Sequence, residues 1–176
     1  MSTNYDSYFH RTIDRRDWYN ATIRSLSSPP SARLLHLYLA TGPHTGILPG
    51  LAEFSSMVAA DYLGWPVEDT ERCLLEIVRF GLASYDTGAR VLWLHGRLAF
   101  AFPRNPNAVK RWAHAWNSIV DCPVKAAAEC AFRKSFAERG PAFVDAFDQV
   151  CRRKPWQPAR NGVRARAIRA KQDEQH

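Results

Sequence analysis

Residues 53–94 carry the strongest pattern in the chain and read EFSSMVAADYLGWPVEDTERCLLEIVRFGLASYDTGARVLWL. In the first two thirds of this stretch, apolar residues recur every three or four positions, which is the spacing of an amphipathic helix. The residues Gly64-Trp65-Pro66 interrupt the pattern, so it predicts two helices, over 53–63 and 67–80. We expect the first helix to bury Phe54, Met57, Val58 and Tyr62 or Leu63. The residues that the second helix turns inward are expected to be Val67, Leu74, Ile77 and Val78, with Cys73 beside them.

A hairpin follows the second helix. Residues 82–85 and 91–94 are two short apolar runs, and the segment 86–90 between them has the composition of a turn. Because a change of apolar period from about 3.6 to 2 marks the passage from helix to strand, we predict one strand in each run.

A helix and a short strand precede this stretch. Ser31 follows Pro29-Pro30 and is predicted to cap a helix over 32–40, and residues 46–48 are predicted to form a strand. Helix, strand, helix, helix and hairpin is the order of a winged helix, which we therefore predict for residues 31–95.

The following residues, 96–151, are predicted to be a helical extension packed on the winged helix. Pro106, Pro123 and Pro141 are each placed where a helix begins, which predicts three helices. The first carries an apolar stripe made of Val109, Trp112, Trp116 and Ile119. The residues predicted to form the core of the whole fold are Leu35, Leu39, Val58, Leu74, Ile77, Trp93, Trp112 and Trp116.

The predicted fold class is thus mainly α: a winged helix-turn-helix with a small β-hairpin, then the helical extension and a basic tail. Residues 1–30 are predicted to be an N-terminal arm and residues 152–176 the tail. The chain has a formal net charge of +7. Residues 1–150 contribute +1 of this and residues 151–176 contribute +6.

Such a basic block indicates a polyanionic partner, most simply nucleic acid, and the alternative is a solvated tail without a partner. The tail residues predicted to bind DNA are Arg152, Arg153, Lys154, Arg164, Arg166 and Arg169.

The predicted second helix of the pair is acidic. In a simple winged helix this element enters the major groove with basic and amide side chains. Residues 51–90 have a net charge of −4, and Glu68, Glu71 and Glu76 fall on the solvent face of this helix. We therefore expect these glutamates to contact protein and not DNA. Acids in the first turn also suit the helix dipole, which is the alternative explanation.

A second basic region lies after the hairpin. Residues 97–139 have a net charge of +5. Arg104, Lys110 and Arg111 surround the helix start at Asn105-Pro106 and are predicted to bind phosphate, the alternative being a solvated helix face. Arg90, at the end of the hairpin turn, is predicted to contact DNA as a wing residue.

The sequence offers little support for other classes of function. Four cysteines, Cys73, Cys122, Cys130 and Cys151, form no C-x-x-C pair and are interpreted as small, reduced, mostly buried residues. There is no glycine-rich phosphate loop, metalloprotease motif or nucleophile motif, so we expect no enzyme, metal site or cofactor. With neither a signal peptide nor a membrane-spanning apolar run, a cytoplasmic protein without a membrane partner is expected.

Four segments resemble a known group of proteins: residues 32–45 (ARLLHLYLATGPHT), Val91-Leu92-Trp93-Leu94, residues 105–112 (NPNAVKRW) and Asp121-Cys122-Pro123-Val124-Lys125. They are similar to winged-helix proteins of phage and prophage replication modules, relatives of the DnaD-like replisome organisers. The similarity covers about residues 9–150. It implies DNA replication initiation, with a winged helix that binds origin DNA or self-associates.

Two functions remain open at this point. The first is a non-enzymatic DNA-binding protein of phage or prophage type, acting in replication initiation or its control. The second is a winged-helix protein-interaction module, whose acidic helix binds another copy of the chain or a host or phage protein, such as a defence protein.

Overall fold

The computed structural model describes residues 29–152, except for the side chain of Arg152. These residues form a mainly helical fold with one small antiparallel sheet, as the fold class predicted. Residues 1–28 of the predicted arm and residues 153–176 of the tail lie outside the described part. The elements are, in chain order, α1 (Ala32–Thr41), β1 (Leu51–Glu53), α2 (Ser56–Leu63), α3 (Val67–Arg79), β2 (Ala83–Asp86), β3 (Val91–Leu94), α4 (Arg97–Phe100), α5 (Pro106–Lys110), α6 (Ala113–Ser118), α7 (Pro123–Ala137) and α8 (Pro141–Arg152).

The sheet has the strand order β1-β3-β2, so β3 lies in its centre and pairs antiparallel with both neighbours. Successive side chains of a strand point to opposite faces. Leu92 and Leu94 therefore enter one hydrophobic core, whereas Val91 enters a second core, against which Trp93 packs. Trp93, predicted to be core, is only half-buried. The unbroken apolar sequence of β3 follows from its burial on both faces.

Helices α1, α2 and α3 cover one face of the sheet. Ser31 caps α1 as predicted, because its Oγ accepts a hydrogen bond from the Leu34 N–H at 3.3 Å. Helix α3 buries one side and exposes a charged one, the pattern that the sequence predicted. The side chains that α3 turns inward are Thr70, Cys73, Leu74 and Ile77.

The predicted inward face of α2 is wrong at Met57 and Val58 and right at Leu63. The helix begins at Ser56 and buries Ala59, Ala60 and Leu63, while Met57 and Val58 are 69% and 52% exposed. Phe54 is buried, but it continues the extended backbone of β1: its N–H donates to the Arg90 carbonyl at 2.8 Å. A pattern that counts Phe54 as helical therefore turns Met57 and Val58 toward the core.

The short strand is also displaced from its predicted position at 46–48. It starts at Leu51, directly after Gly50, whose carbonyl accepts from the Leu94 N–H at 2.8 Å. Gly50 has a φ of 75°, and a Cβ there would lie 2.4 Å from the Leu94 carbonyl oxygen. A residue without a Cβ is needed where the backbone of residue 50 comes this close to Leu94. Pairing with β3 therefore begins at this glycine.

The C-terminal helices cover the other face of the sheet. The predicted stripe of Val109, Trp112, Trp116 and Ile119 is buried. Its two tryptophans pack against phenylalanines of α7 and α8. The ring centroids of Trp116 and Phe147 are 5.1 Å apart, with the rings edge-to-face, and those of Trp112 and Phe136 are 5.8 Å apart. Offset and edge-to-face pairs of this kind stabilise a core beyond their buried area.

Residues 97–152 hold five helices where three were predicted. Helix α4 was not predicted, and the helix expected to begin at Pro106 is divided into α5 and α6. At the division, the Trp112 N–H donates to the Val109 carbonyl three residues back, at 2.9 Å. This 3₁₀-type turn carries the chain from α5 into α6 without reversing its direction. The apolar stripe of the two helices therefore stays on one face.

No helix of residues 29–152 is long and apolar enough to span a membrane.

Neighbouring leucines on α3 provide a test of this packing. Leu74 is buried, and Leu75 is 64% exposed. We expect Leu74→Ala to lower the free energy of unfolding by about 2–5 kcal/mol, because it leaves a cavity. Leu75→Ala should change it by about 0.5 kcal/mol or less, as surface substitutions usually do. Chemical denaturation followed by circular dichroism measures both values, and equal losses would show that the helix is rotated differently.

Candidate functional site

The solvent face of α3 is acidic, as the sequence predicted. Glu68, Glu71 and Glu76 are exposed. Glu71 is held in place by the Ser56 hydroxyl, which donates to its carboxylate at 3.0 Å. Arg72, one of two arginines on this helix, forms an ion pair with Asp69. The face therefore presents mainly carboxylates.

Two exposed apolar side chains lie beside these acids. Leu75 of α3 and Met57 of α2 are 64% and 69% exposed and line a groove of about 420 Å³ between α3 and the hairpin. We call it the α3 groove; it is lined by Ser55, Ser56, Met57, Val67, Glu71, Leu74, Leu75, Tyr85, Thr87 and Arg90. Sequence reasoning missed Leu75, although it lies seven residues from Glu68 and hence on the same helix face.

Arg90 separates the α3 groove from a second cavity. It is exposed and has a φ of 54°, a left-handed conformation that non-glycine residues rarely adopt. The second cavity, of about 390 Å³, lies between Arg90, Tyr38 and His44. Burial raises the pKa of Tyr85 above its ordinary value; the Arg90 guanidinium opposes this rise, and the Glu71 carboxylate adds to it. The predicted wing residue thus lies close to the acidic helix.

Several cations of the basic region 97–139 are already neutralised. Lys125 is only 7% exposed: its Nζ donates to the Ile119 carbonyl and to the Asp121 carboxylate, both at 2.7 Å. Arg133 donates to the carboxylates of Glu129 and Asp148, and these hydrogen bonds raise its pKa above the ordinary value. Neither side chain is available to a polyanion without the loss of these bonds.

The three cations predicted to bind phosphate are placed differently. Arg104, Lys110 and Arg111 are exposed, and no carboxylate of residues 29–152 forms an ion pair with them. The helix start beside them contributes little, because α5 has five residues and the Asn105 side chain already accepts from the Ala108 N–H at 2.9 Å. Attraction for phosphate here depends on the side-chain charges.

The basic tail begins where α8 ends. Arg152 is the last residue of α8, and its side chain is not described. The other predicted tail contacts, Arg153, Lys154, Arg164, Arg166 and Arg169, lie outside the described residues. Helix α8 packs along α5 and α6, so the described part of the chain ends among the C-terminal helices.

The cysteines are free thiols, and their environments differ. Cys73 is buried, Cys122 and Cys151 are half-buried, and Cys130 is exposed, contrary to the prediction that all are mostly buried. Burial raises the pKa of Cys73 above its ordinary value and that of Cys151 to about 12. Among the described residues, no group of three or more His, Cys, Asp or Glu side chains is arranged to hold a metal ion.

These environments predict an order of thiol reactivity. The thiolate is the reactive form, and burial both raises the pKa of Cys73 and Cys151 and shields them from the reagent, so both should react slowly. We expect iodoacetamide to modify Cys130 first in the native protein, and the other two only after denaturation. Peptide mass spectrometry at several time points measures the order. Modification of Cys151 as fast as Cys130 would contradict the packing of α8.

Comparison with known proteins finds no matching family model, no matching curated protein and no matching solved structure.

Proposed function

We propose that this chain is a non-enzymatic DNA-binding protein that acts in DNA replication initiation or its control and contacts DNA through its basic C-terminal half. The observation that carries the proposal is the sorting of cations on that half. Lys125 and Arg133 are neutralised by neighbours, whereas Arg104, Lys110 and Arg111 stay exposed and unpaired within the described residues. Residues 151–176 add a net charge of +6 to the chain.

Residues 31–95 are proposed to be a winged helix. The order helix, strand, helix, helix, hairpin and the sheet order β1-β3-β2 support this assignment. Its acidic α3 is a poor match to a phosphate backbone, so α3 is proposed to face away from DNA. Arg90, in the hairpin turn, is the residue of this unit proposed to reach a minor groove.

Recognition of this kind is expected to tolerate many DNA sequences. Contacts from arginine and lysine to phosphate position a protein on the duplex but carry no base information. The proposed role in replication and the phage or prophage type follow from the resemblance of residues 32–45 and 105–112 to replication-module proteins.

Neutralising Arg104, Lys110 and Arg111 tests the proposal. The logarithm of DNA affinity falls with the logarithm of salt concentration by about 0.9 per phosphate neutralised. We expect Arg104→Gln, Lys110→Gln and Arg111→Gln together to reduce this slope by about 2–3 units. Fluorescence anisotropy with a labelled duplex, titrated at four or more salt concentrations, measures it.

A matched control carries the same change in charge elsewhere. Arg33, Arg72 and Arg79 are exposed cations of α1 and α3. Replacing all three with Gln also lowers the net charge by three, yet it should leave the salt slope nearly unchanged. An equal reduction in both triple variants would show that only overall charge matters, and the proposed surface would be rejected.

A protein-interaction module is a second candidate, and the α3 groove favours it. Met57 and Leu75 expose apolar surface beside Glu71, and apolar side chains in a groove with a charged rim are typical of protein interfaces. On this reading, the acidic face binds another subunit or a host or phage protein.

Charge reversal on α3 distinguishes the two candidates. Glu68→Lys, Glu71→Lys and Glu76→Lys should weaken self-association or a partner complex, because the partner then meets like charge. DNA affinity should stay the same or rise, since added positive charge attracts phosphate. Sedimentation velocity and anisotropy titrations measure the two effects, and lost DNA affinity in a folded variant would place α3 on the DNA.

A further inference from the structure

The α3 groove is a surface that DNA binding leaves unused. Its apolar part consists of Met57 and Leu75, with Val67 and Leu74 beneath them. Its rim carries Glu71, and the remaining acids of the α3 face continue on the same helix. An occupant of this groove should therefore combine cations with small apolar side chains.

A second copy of the acidic face does not meet this requirement. Packing one α3 face against another would bring Glu68, Glu71 and Glu76 close to identical carboxylates. Like charges placed opposite one another destabilise a complex. The occupant must come from a basic segment.

The tail of the chain contains such a segment. Residues 163–171 read VRARAIRAK and contain four cations, five apolar residues and no acid. Most of the apolar side chains are alanine, which fits a shallow groove. Arginine binds carboxylates through two parallel hydrogen bonds, so Glu71 in the lining, and Glu68 one turn before it on α3, are suitable partners for the arginines of this segment.

The length of the chain permits this contact. Ten residues separate Arg152, the end of α8, from Val163, and extended they span about 35 Å. A body of the described length has a radius of gyration of about 14 Å. This span is about 2.5 times the radius of gyration, so the segment can reach past the edge of the sheet toward α3.

We propose that residues 163–171 occupy the α3 groove of the same chain. Their apolar side chains contact Met57 and Leu75, and their arginines pair with the glutamates of α3. Arg90, at the other wall, opposes a basic occupant, so the segment lies on the α3 side of the groove. This docking goes beyond the proposed DNA binding, and a docked segment keeps Arg164, Arg166 and Arg169 away from phosphate.

Carbodiimide crosslinking of the full-length chain tests the proposal. The reagent joins a lysine amine directly to a carboxylate in contact with it, and Lys171 ends the docked segment. We expect isopeptide bonds from Lys171 to Glu71 or Glu68, identified by peptide mass spectrometry. Mixing the ¹⁵N-labelled and unlabelled chains should give products within one isotope form only.

Variants separate a seated segment from general attraction of charge. Met57→Ser with Leu75→Ser should lower the yield of these crosslinks several-fold, whereas Val120→Ser, at another exposed apolar residue, should leave it unchanged. Arg90→Gln should raise the yield, because it removes the opposing cation. Thermal melts followed by circular dichroism confirm that each variant is folded.

Three results would overturn the proposal. The first is coupling of Lys171 mainly to carboxylates away from α3, such as Glu138 or Asp145, or to none. The second is an unchanged yield in the Met57 and Leu75 variant. The third is abundant crosslinks between labelled and unlabelled chains, which would place the tail on a second copy. Loss of DNA binding alone affects none of these readouts.

Discussion

Burial of β3 on both faces is the constraint on which the rest of the structure depends. Leu92 and Leu94 pack on α1–α3, and Val91 packs on the C-terminal helices. A shift of the β3 register by one residue would exchange the side chains that face the two cores. Because the side chains on both faces are apolar, the hydrophobic pattern alone does not fix the register. The hairpin turn fixes it: Asp86 lies opposite Val91, and the Asp86 carboxylate accepts from the Ala89 N–H at 2.8 Å.

Elements with their own local signal could be predicted from the sequence. The Ser31 cap, the rotation of α3, the hairpin strands and the tryptophan stripe of α5 and α6 each follow from a few neighbouring residues. The position of β1 and the rotation of α2 could not be predicted, because both depend on pairing of residues 50–54 with β3. That pairing joins parts of the chain about 40 residues apart, and nothing in the sequence of Leu51–Glu53 marks it.

The candidate site shows the same division. Composition and helix phase were enough to place Glu68, Glu71 and Glu76 on the solvent face. Counting charges along residues 97–139 was not enough to say which cations are available, because Arg133 pairs with the carboxylate of Asp148, 15 residues further along, which only the folded chain brings to it. The α3 groove depends on three elements, so a pattern within one helix could reveal Leu75 but not its neighbours.

The left-handed backbone at Arg90 has an energetic consequence. An L-residue in this conformation is less stable than glycine by roughly 1 kcal/mol or more, because its Cβ crowds the following carbonyl. The Phe54–Arg90 hydrogen bond needs only the backbone of residue 90, so a glycine could close the turn without this strain. The chain instead keeps a long cationic side chain at the boundary between two cavities and accepts a less stable turn. Such a residue contributes more to what the surface can bind than to the fold that holds it.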